Sequence, residues 1–318
     1  MPISTTAEPL VDVHVHLYPT KQEGQLAKDS YVIWEYGDDP GVEFATAGGD
    51  LEDLTAIYGK GGFTRAIVVH LFDTALARRD ATERLSINSK PAETDAVQAE
   101  IQVAVGEAML ASNRWIASVA LNDPLVDVLV SVDPTLLTPK EIADHVTDLA
   151  KLGVKGIKLH PVSQGYLPFD SRLHAIYETC SDAGLVVLSH SGPGHHGSAS
   201  AKPTEFASVL ERWPNLKLVL AHLGGASWQE TPALAKAFPQ VMFDLSEIIE
   251  WSGASSAPTP DLMSMLIKEI GVDRVMMGSD FPWYDPILTT DRVMGLPGLS
   301  TQERSALLGG NAARVFDI

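Results

Sequence analysis

Three polar residues alternate with valines in a short segment near the start of the chain, Asp12-Val13-His14-Val15-His16. Alternate side chains of a β-strand point to the same face, so Asp12, His14 and His16 would project together. Two imidazoles on one face can hold one metal ion, because their nitrogen atoms bind zinc, manganese or iron at about 2 Å. A surface strand would show the same alternation, so this segment alone leaves both interpretations open.

Four more polar residues close later apolar segments. His160, His190 and His222 end the segments GIKLH, LVVLSH and LVLAH, and Asp280 ends the segment MMGSD. Polar side chains at the carboxyl ends of several different strands are the usual source of active sites in α/β barrels. Five histidines and a carboxylate would then converge, which favours a metal site over a surface strand.

Short apolar segments rich in β-branched residues must position these side chains, and we find eight: Leu10–Leu17, Arg65–His70, Val126–Val132, Val154–His160, Leu185–His190, Leu216–His222, Val241–Leu245 and Arg274–Met277. Helical stretches lie between most of them: Asp50–Tyr58, Glu93–Ala111, Pro139–Leu152, Ser171–Ala183, Pro203–Arg212, Thr231–Phe238 and Pro260–Ile270. Strands that alternate with helices predict a parallel sheet, and eight such units predict a closed barrel. The predicted fold is α/β, a single (β/α)8 TIM-barrel domain over residues 1–318.

Two stretches lack this regularity, residues 18–49 and 71–92, and both are predicted as long loops. Loops that follow strands lie at the carboxyl face of a barrel, where substrates bind. Trp34 in the first stretch is a candidate pocket wall. His195 and His196, in a glycine-rich segment after His190, fit an exposed loop better than a second ligand group.

The composition narrows the classes of partner. The net charge of −18 and the pI of about 4.8 argue against nucleic acid and anionic membrane surfaces. The single cysteine, Cys180, excludes a thiolate metal cluster and a disulfide within the chain. The start of the chain lacks the basic and apolar regions of a signal peptide, so we expect a cytoplasmic protein. A small-molecule substrate is the expected partner, and a homodimer stays open.

The segments DVHVH, GIKLHP, LSH, LAHLGG and GSDFP, in that order, resemble the amidohydrolase superfamily. The resemblance runs from residue 12 to residue 282, and it is most marked to the branch with aminocarboxymuconate-semialdehyde decarboxylase and the γ-resorcylate-type decarboxylases. It implies that His14, His16 and His190 are metal ligands. It also implies that Asp280 binds the metal and acts on bound water, and that His222 is a general acid or base.

The resemblance further implies a supporting role for Asp12 and a single divalent transition metal, Zn²⁺ in first place and Mn²⁺ as the alternative. Lys158 and His160 lie two apart on one predicted strand, so both can face the barrel mouth as substrate contacts. Some amidohydrolases carry a carbamylated lysine on the fourth strand that bridges two metals, and Lys158 occupies such a strand. An internal salt bridge is the other interpretation of Lys158. Trp283, which follows Asp280 closely, is a candidate substrate contact.

Two reactions fit such a site. In a hydrolase, water activated by the metal attacks a small ester, lactone or amide, and His222 handles the proton. In a non-oxidative decarboxylase, cationic groups hold the carboxylate of a small aromatic or unsaturated acid. The resemblance implies an arginine after the first strand for that purpose, and residues 17–64 contain none. We therefore expect a hydrolase, with decarboxylation as the alternative and an inactive metal-binding barrel third.

Overall fold

Parallel strands form the centre of the structure, a computed structural model that describes residues 9–36, 43–88, 95–194, 199–251 and 257–318. The eight strands are β1 (Val11–Val15), β2 (Arg65–Val69), β3 (Val126–Ser131), β4 (Gly156–Leu159), β5 (Val186–Ser189), β6 (Lys217–Leu220), β7 (Met242–Asp244) and β8 (Val275–Met276). Each strand pairs in parallel with the next one along the chain. All eight predicted strands are confirmed.

The first and last strands meet beside the predicted site. The N–H of Val13 donates to the carbonyl oxygen of Met277 (3.1 Å), and the N–H of Asp280 donates to the carbonyl oxygen of His14 (2.8 Å). These bonds close the sheet into a barrel, and they bring the backbone after β8 directly against the end of β1. The predicted TIM barrel is confirmed.

Helices connect the strands along the outside of the barrel. They are α1 (Lys21–Tyr36), α2 (Leu51–Gly61), α3 (Thr74–Asn88), α4 (Asp95–Asn122), α5 (Pro139–Ala150), α6 (Pro161–Gln164), α7 (His174–Ala183), α8 (Ala207–Arg212), α9 (Thr231–Ala237), α10 (Pro260–Ile270), α11 (Pro286–Gly295), α12 (Thr301–Ser305) and α13 (Asn311–Phe316). All seven predicted helical stretches contain a helix. Within the described ranges, no helix has the length and apolar character needed to cross a membrane.

The prediction of long loops at residues 18–49 and 71–92 is wrong over much of both stretches, because α1 and α3 lie there. Both helices begin at capping residues that the sequence displays. The hydroxyl of Thr20 accepts from the N–H of Glu23 and donates to its carboxylate, so Thr20 caps the start of α1. The carboxylate of Asp73 accepts the N–H three residues further on.

The apolar core has two parts. The larger lies between the strands and the surrounding helices, and the smaller joins side chains of the strands to Ala312, Val315 and Phe316 of α13. The chain just before α13 packs on the start of β1, where Gly309 leaves no room for a Cβ beside the carbonyl oxygen of Pro9. This end of the barrel is therefore filled mainly with apolar side chains, and the predicted site residues lie at the opposite end.

Asp12 connects the two strands that close the barrel. Its buried carboxylate accepts the backbone N–H of Ser279 (2.8 Å), the hydroxyl of Ser279 and, more weakly, the N–H of His14 (3.2 Å). Burial raises the pKa of Asp12 to about 7 despite these hydrogen bonds. Gly278 permits the close contact, because a Cβ at that position would lie 2.8 Å from Cβ of His14.

Replacing Asp12 by alanine should lower the free energy of unfolding by about 3 kcal/mol, since it leaves three buried donors without their acceptor. Equilibrium unfolding in urea measures the change. The control is Asp73→Ala, which removes an exposed helix cap and should cost about 1 kcal/mol. An Asp12→Ala protein as stable as the parent would show that this carboxylate does not hold β1 to β8.

Candidate metal centre

Three side chains bring metal-binding atoms together at the closing point of the barrel. Nε2 of His16 lies 3.2 Å from Oδ1 of Asp280, and Nε2 of His14 lies 3.6 Å from the same oxygen. All three donor atoms lie within 4.8 Å of one another, and both histidines are buried. Two imidazoles and a carboxylate are a donor set that suits a divalent transition metal ion.

The donors are in the protonation states that a metal requires. Burial lowers the pKa of His14 and His16, so both rings are neutral and each keeps a lone pair. Burial raises the pKa of the Asp280 carboxyl, but the positive charge that His14 carries when protonated and the hydrogen bond with His16 outweigh it and hold this pKa well below its usual range. A neutral pair of imidazoles and an ionised carboxylate result.

The hydrogen bonds of His14 fix which of its nitrogens carries the proton. Nδ1 lies 3.0 Å from Oδ2 of Asp244, a buried carboxylate that can only accept, so Nδ1 donates. Nε2 accepts from the buried ammonium of Lys158 at 3.1 Å. Both contacts demand the same tautomer, in which the lone pair of Nε2 points toward His16 and Asp280. A carboxylate behind a ligand histidine is the usual support of a metal site.

Three further histidines lie beside this group, two of them stacked. The rings of His160 and His190 are parallel, with centroids 4.0 Å apart, and the ring of His222 lies 4.9 Å from His190. Burial lowers the pKa of His190 as well. Three groups of described residues bring their ligand atoms within 4.8 Å of one another, and His190 belongs to none of them. The assignment of His190 as the third ligand therefore stays a prediction.

His222 follows β6 in a left-handed backbone conformation, with φ of 59°, and Leu223 continues it with φ of 51°. Such conformations cost residues other than glycine about 1–2 kcal/mol each, and they cluster at functional sites. The N–H of His222 donates to Oδ1 of Asp244 at 3.0 Å, and its Nδ1 lies 2.9 Å from the hydroxyl of Ser246. The surrounding hydrogen bonds therefore hold this ring in place.

The predicted substrate contacts lie around this centre. Trp283 packs edge-on against His16, with ring centroids 5.2 Å apart. Nδ1 of His160 accepts the N–H of Ser163 at 3.2 Å, so this residue also caps α6. Whether Lys158, His160 and Trp283 contact a substrate stays a prediction. His195 and His196 lie outside the described residues, as does the side chain of Trp34.

Four residues at the site escaped the sequence analysis: Tyr18, Asp244, Ser246 and Glu247. Asp244 and Ser246 alternate at the end of the seventh strand, the same signal that identified His14 and His16. Glu247 has φ of 62°, and its carboxylate lies 3.4 Å from Nδ1 of His222, a placement that no strand pattern predicts. Burial, together with the charges of Asp280 and Asp73, raises the pKa of the Tyr18 phenol.

Comparison with known proteins extends these observations. The family model described as amidohydrolase matches residues 11–318. The chain is 23% identical over 231 residues to 2-amino-3-carboxymuconate-6-semialdehyde decarboxylase of Dictyostelium discoideum, a match that covers 63% of this chain and 64% of that protein. It is 28% identical over 122 residues to the Caenorhabditis elegans protein of the same name, covering 35% of this chain and 30% of that protein. Both matches span less than two thirds of these relatives.

Solved structures share the fold at low identity. An uncharacterised TIM-barrel protein from Bordetella bronchiseptica has a TM-score of 0.70 at 17% identity, covering 97% of this chain and 98% of that one. The 5-carboxyvanillate decarboxylase from Sphingomonas paucimobilis has a TM-score of 0.63 at 17% identity, covering 98% and 100%. A candidate 2-pyrone-4,6-dicarboxylic acid hydrolase from Pseudomonas putida has a TM-score of 0.61 at 17% identity, covering 98% of each chain.

Metal binding tests the centre directly. The protein, stripped with a chelator and titrated with Zn²⁺, should bind about one equivalent. A His14→Ala/His16→Ala variant should bind it weaker by roughly two orders of magnitude or more, because two nitrogen ligands are gone. Isothermal titration calorimetry measures both affinities, and His174→Ala, a histidine of α7 packed on Trp213, is the matched control. Unchanged affinity in the double variant would exclude this centre.

Proposed function

The chain belongs to the amidohydrolase family, and from this premise we propose that it is a metal-dependent enzyme that decarboxylates a small aromatic or unsaturated acid without oxidation. The observation that carries the proposal is the buried ammonium group of Lys158, 3.1 Å from the candidate ligand nitrogen of His14. A buried cation at such a centre suits an anionic substrate. The decarboxylases among the relatives favour the same reaction.

The expectation of hydrolysis rested on the missing arginine in residues 17–64, and it is not confirmed. The first two lysines of residues 17–64 have partners away from the candidate metal centre. Lys21 pairs with Asp53 at 2.8 Å, and Lys28 donates to two backbone carbonyl oxygens. Lys158 supplies the cationic group from β4 instead, so decarboxylation no longer lacks a partner for the substrate carboxylate.

The position of Lys158 suggests how it would act. Burial lowers its pKa to about 8, although Asp280, Asp244 and Glu247 oppose the shift, so the ammonium form prevails at pH 7. Once Nε2 of His14 is committed to an ion, Lys158 loses the acceptor that it has in this structure. A carboxylate of the substrate is the partner of opposite charge that would replace it.

His14, His16 and Asp280 would hold the ion, with His190 as the proposed further ligand. When bound, a divalent ion would polarise the substrate and orient it for loss of its carboxyl group. The charges of Asp280, Asp244 and Glu247 act on Lys158, and with all four groups ionised their net charge is about −2. One divalent ion balances that charge. We therefore propose a single ion, with Zn²⁺ as the first choice and Mn²⁺ as the second.

His222 would supply the proton. In the reaction, the bond between the carboxyl carbon and its neighbour breaks, carbon dioxide leaves, and the electron pair stays on the remaining carbon. A proton must then reach that carbon. Nδ1 of His222 faces Ser246 and Glu247 and keeps its own proton, so Nε2 is the ring nitrogen that would first take up a proton from water and then deliver it to that carbon.

Carbon dioxide release tests the reaction. The Zn²⁺- or Mn²⁺-loaded protein should release carbon dioxide from at least one acid in a panel of hydroxylated benzoates, 5-carboxyvanillate and unsaturated amino acids with a conjugated carboxylate. His222→Asn should lose at least about 100-fold in kcat while it keeps its metal, because the proton donor is gone. Hydrolysis of 2-pyrone-4,6-dicarboxylate or simple lactones, without carbon dioxide release from any acid, would contradict the proposal.

Lys158 should matter for binding of the acid. Lys158→Met should raise KM by roughly 30-fold, equivalent to about 2 kcal/mol for a lost buried charge pair. Lys158→Arg keeps the charge and should recover part of the loss. Steady-state kinetics on the acid found above measure both, with metal content determined for each variant. A KM of Lys158→Met within twofold of the parent would remove Lys158 from the proposed site.

A further inference from the structure

One buried carboxylate joins the two histidines on which the proposed function depends. We propose that Asp244, together with Ser246, is a positioning residue that fixes the tautomer of His14 and the placement of His222, so that one group controls both metal binding and proton delivery. The proposal rests on the proposed function for the roles of the two rings.

The two oxygens of Asp244 have different partners. Oδ2 accepts from Nδ1 of His14 at 3.0 Å. Oδ1 accepts three donors: the backbone N–H of His222 at 3.0 Å, the backbone N–H of Ser246 at 3.0 Å, and the hydroxyl of Ser246. Two of these three donors are backbone groups that cannot reverse their role. The atom at the position of Oδ1 must therefore be an acceptor in every variant that keeps this backbone conformation.

Ser246 extends the arrangement to the second ring. Its hydroxyl has one proton, which it donates to Asp244, so its oxygen is an acceptor for Nδ1 of His222 at 2.9 Å and for Nδ1 of His14 at 3.0 Å. The carbonyl oxygen of Ser246 also lies 3.1 Å from Nδ1 of His222. Both rings consequently carry a proton on Nδ1, and both direct Nε2 away from β7.

This asymmetry makes Asp244→Asn an informative substitution. Three donors meet at Oδ1, so the amide oxygen of the new asparagine has to take that position. The NH₂ group then has to face His14. A donor opposite Nδ1 favours the other tautomer of the His14 ring, with the proton on Nε2, against the opposing contacts with Lys158 and Ser246. The lone pair then points away from His16 and Asp280. The variant has the same size and shape as the parent, yet it should lose the metal ligand.

Nitrogen-15 NMR of histidine-labelled, metal-free protein tests the arrangement, since the ring nitrogen shifts report the tautomer directly. The parent should show His14 and His222 protonated on Nδ1, with signals assigned from His14→Gln and His222→Asn. Asp244→Asn should move the proton of His14 to Nε2 and weaken Zn²⁺ binding by about 10- to 100-fold in calorimetry. Ser246→Ala keeps the carboxylate and should keep the tautomer of His14.

Asp133→Asn is the control, because it neutralises another buried carboxylate, just past β3, whose Oδ1 accepts from Thr135. It should change Zn²⁺ affinity less than twofold. Three results would each overturn the proposal: His14 protonated on Nε2 in the parent, Zn²⁺ affinity of Asp244→Asn within twofold of the parent, or an equal loss in Asp133→Asn. If no acid is decarboxylated but the tautomer and affinity change as stated, the proposed reaction fails and the positioning role stands.

Discussion

Charges buried at the mouth of this barrel have to be paired, and that requirement organises the whole centre. Asp244, Asp280 and Lys158 lie at or near the ends of three strands, with water largely excluded. An unpaired charge there would cost several kcal/mol, so each one is held by a histidine, a backbone N–H or an opposite charge. His14 is the residue that links them: Asp244 contacts one of its nitrogens, Lys158 contacts the other, and Asp280 lies beside it.

The barrel makes this arrangement possible through its topology. Eight parallel strands deliver their last residues to one rim, so side chains far apart in the sequence become neighbours. The opposite end is filled mainly by α13 and apolar strand residues, and the candidate metal ligands lie at the rim. The closure of β8 onto β1 is the most demanding contact. It needs Gly278 for close approach and Asp12 to accept the donors of Ser279.

Much of this could be read from the sequence, because the signals are local. Alternation within β1 and polar residues after apolar segments predicted His14, His16 and Asp280, which the structure brings together. Asp244 and Ser246 carried the same signal and were overlooked. The positions of the Glu247 and His222 side chains could not be predicted. Both residues have a left-handed backbone conformation, which is imposed by the packed turns after β6 and β7. Helices α1 and α3 have only a weak apolar face, so their capping residues are the main sequence signal that predicts them. The position of Lys158 on the fourth strand predicted a substrate contact, whereas its hydrogen bond with His14 follows only from the folded barrel.

We propose that one metal ion lies at the closing point of the barrel and leaves Lys158 to bind an acid. Anomalous X-ray diffraction at the zinc edge, from crystals of the Zn²⁺-loaded protein, tests it most directly. The account predicts one strong peak about 2.0–2.3 Å from Nε2 of His14, Nε2 of His16 and a carboxylate oxygen of Asp280. Another described donor group shares Asp280 and consists of His222, Glu247 and Asp280. A peak within that group, or no peak at the rim, would contradict the proposal.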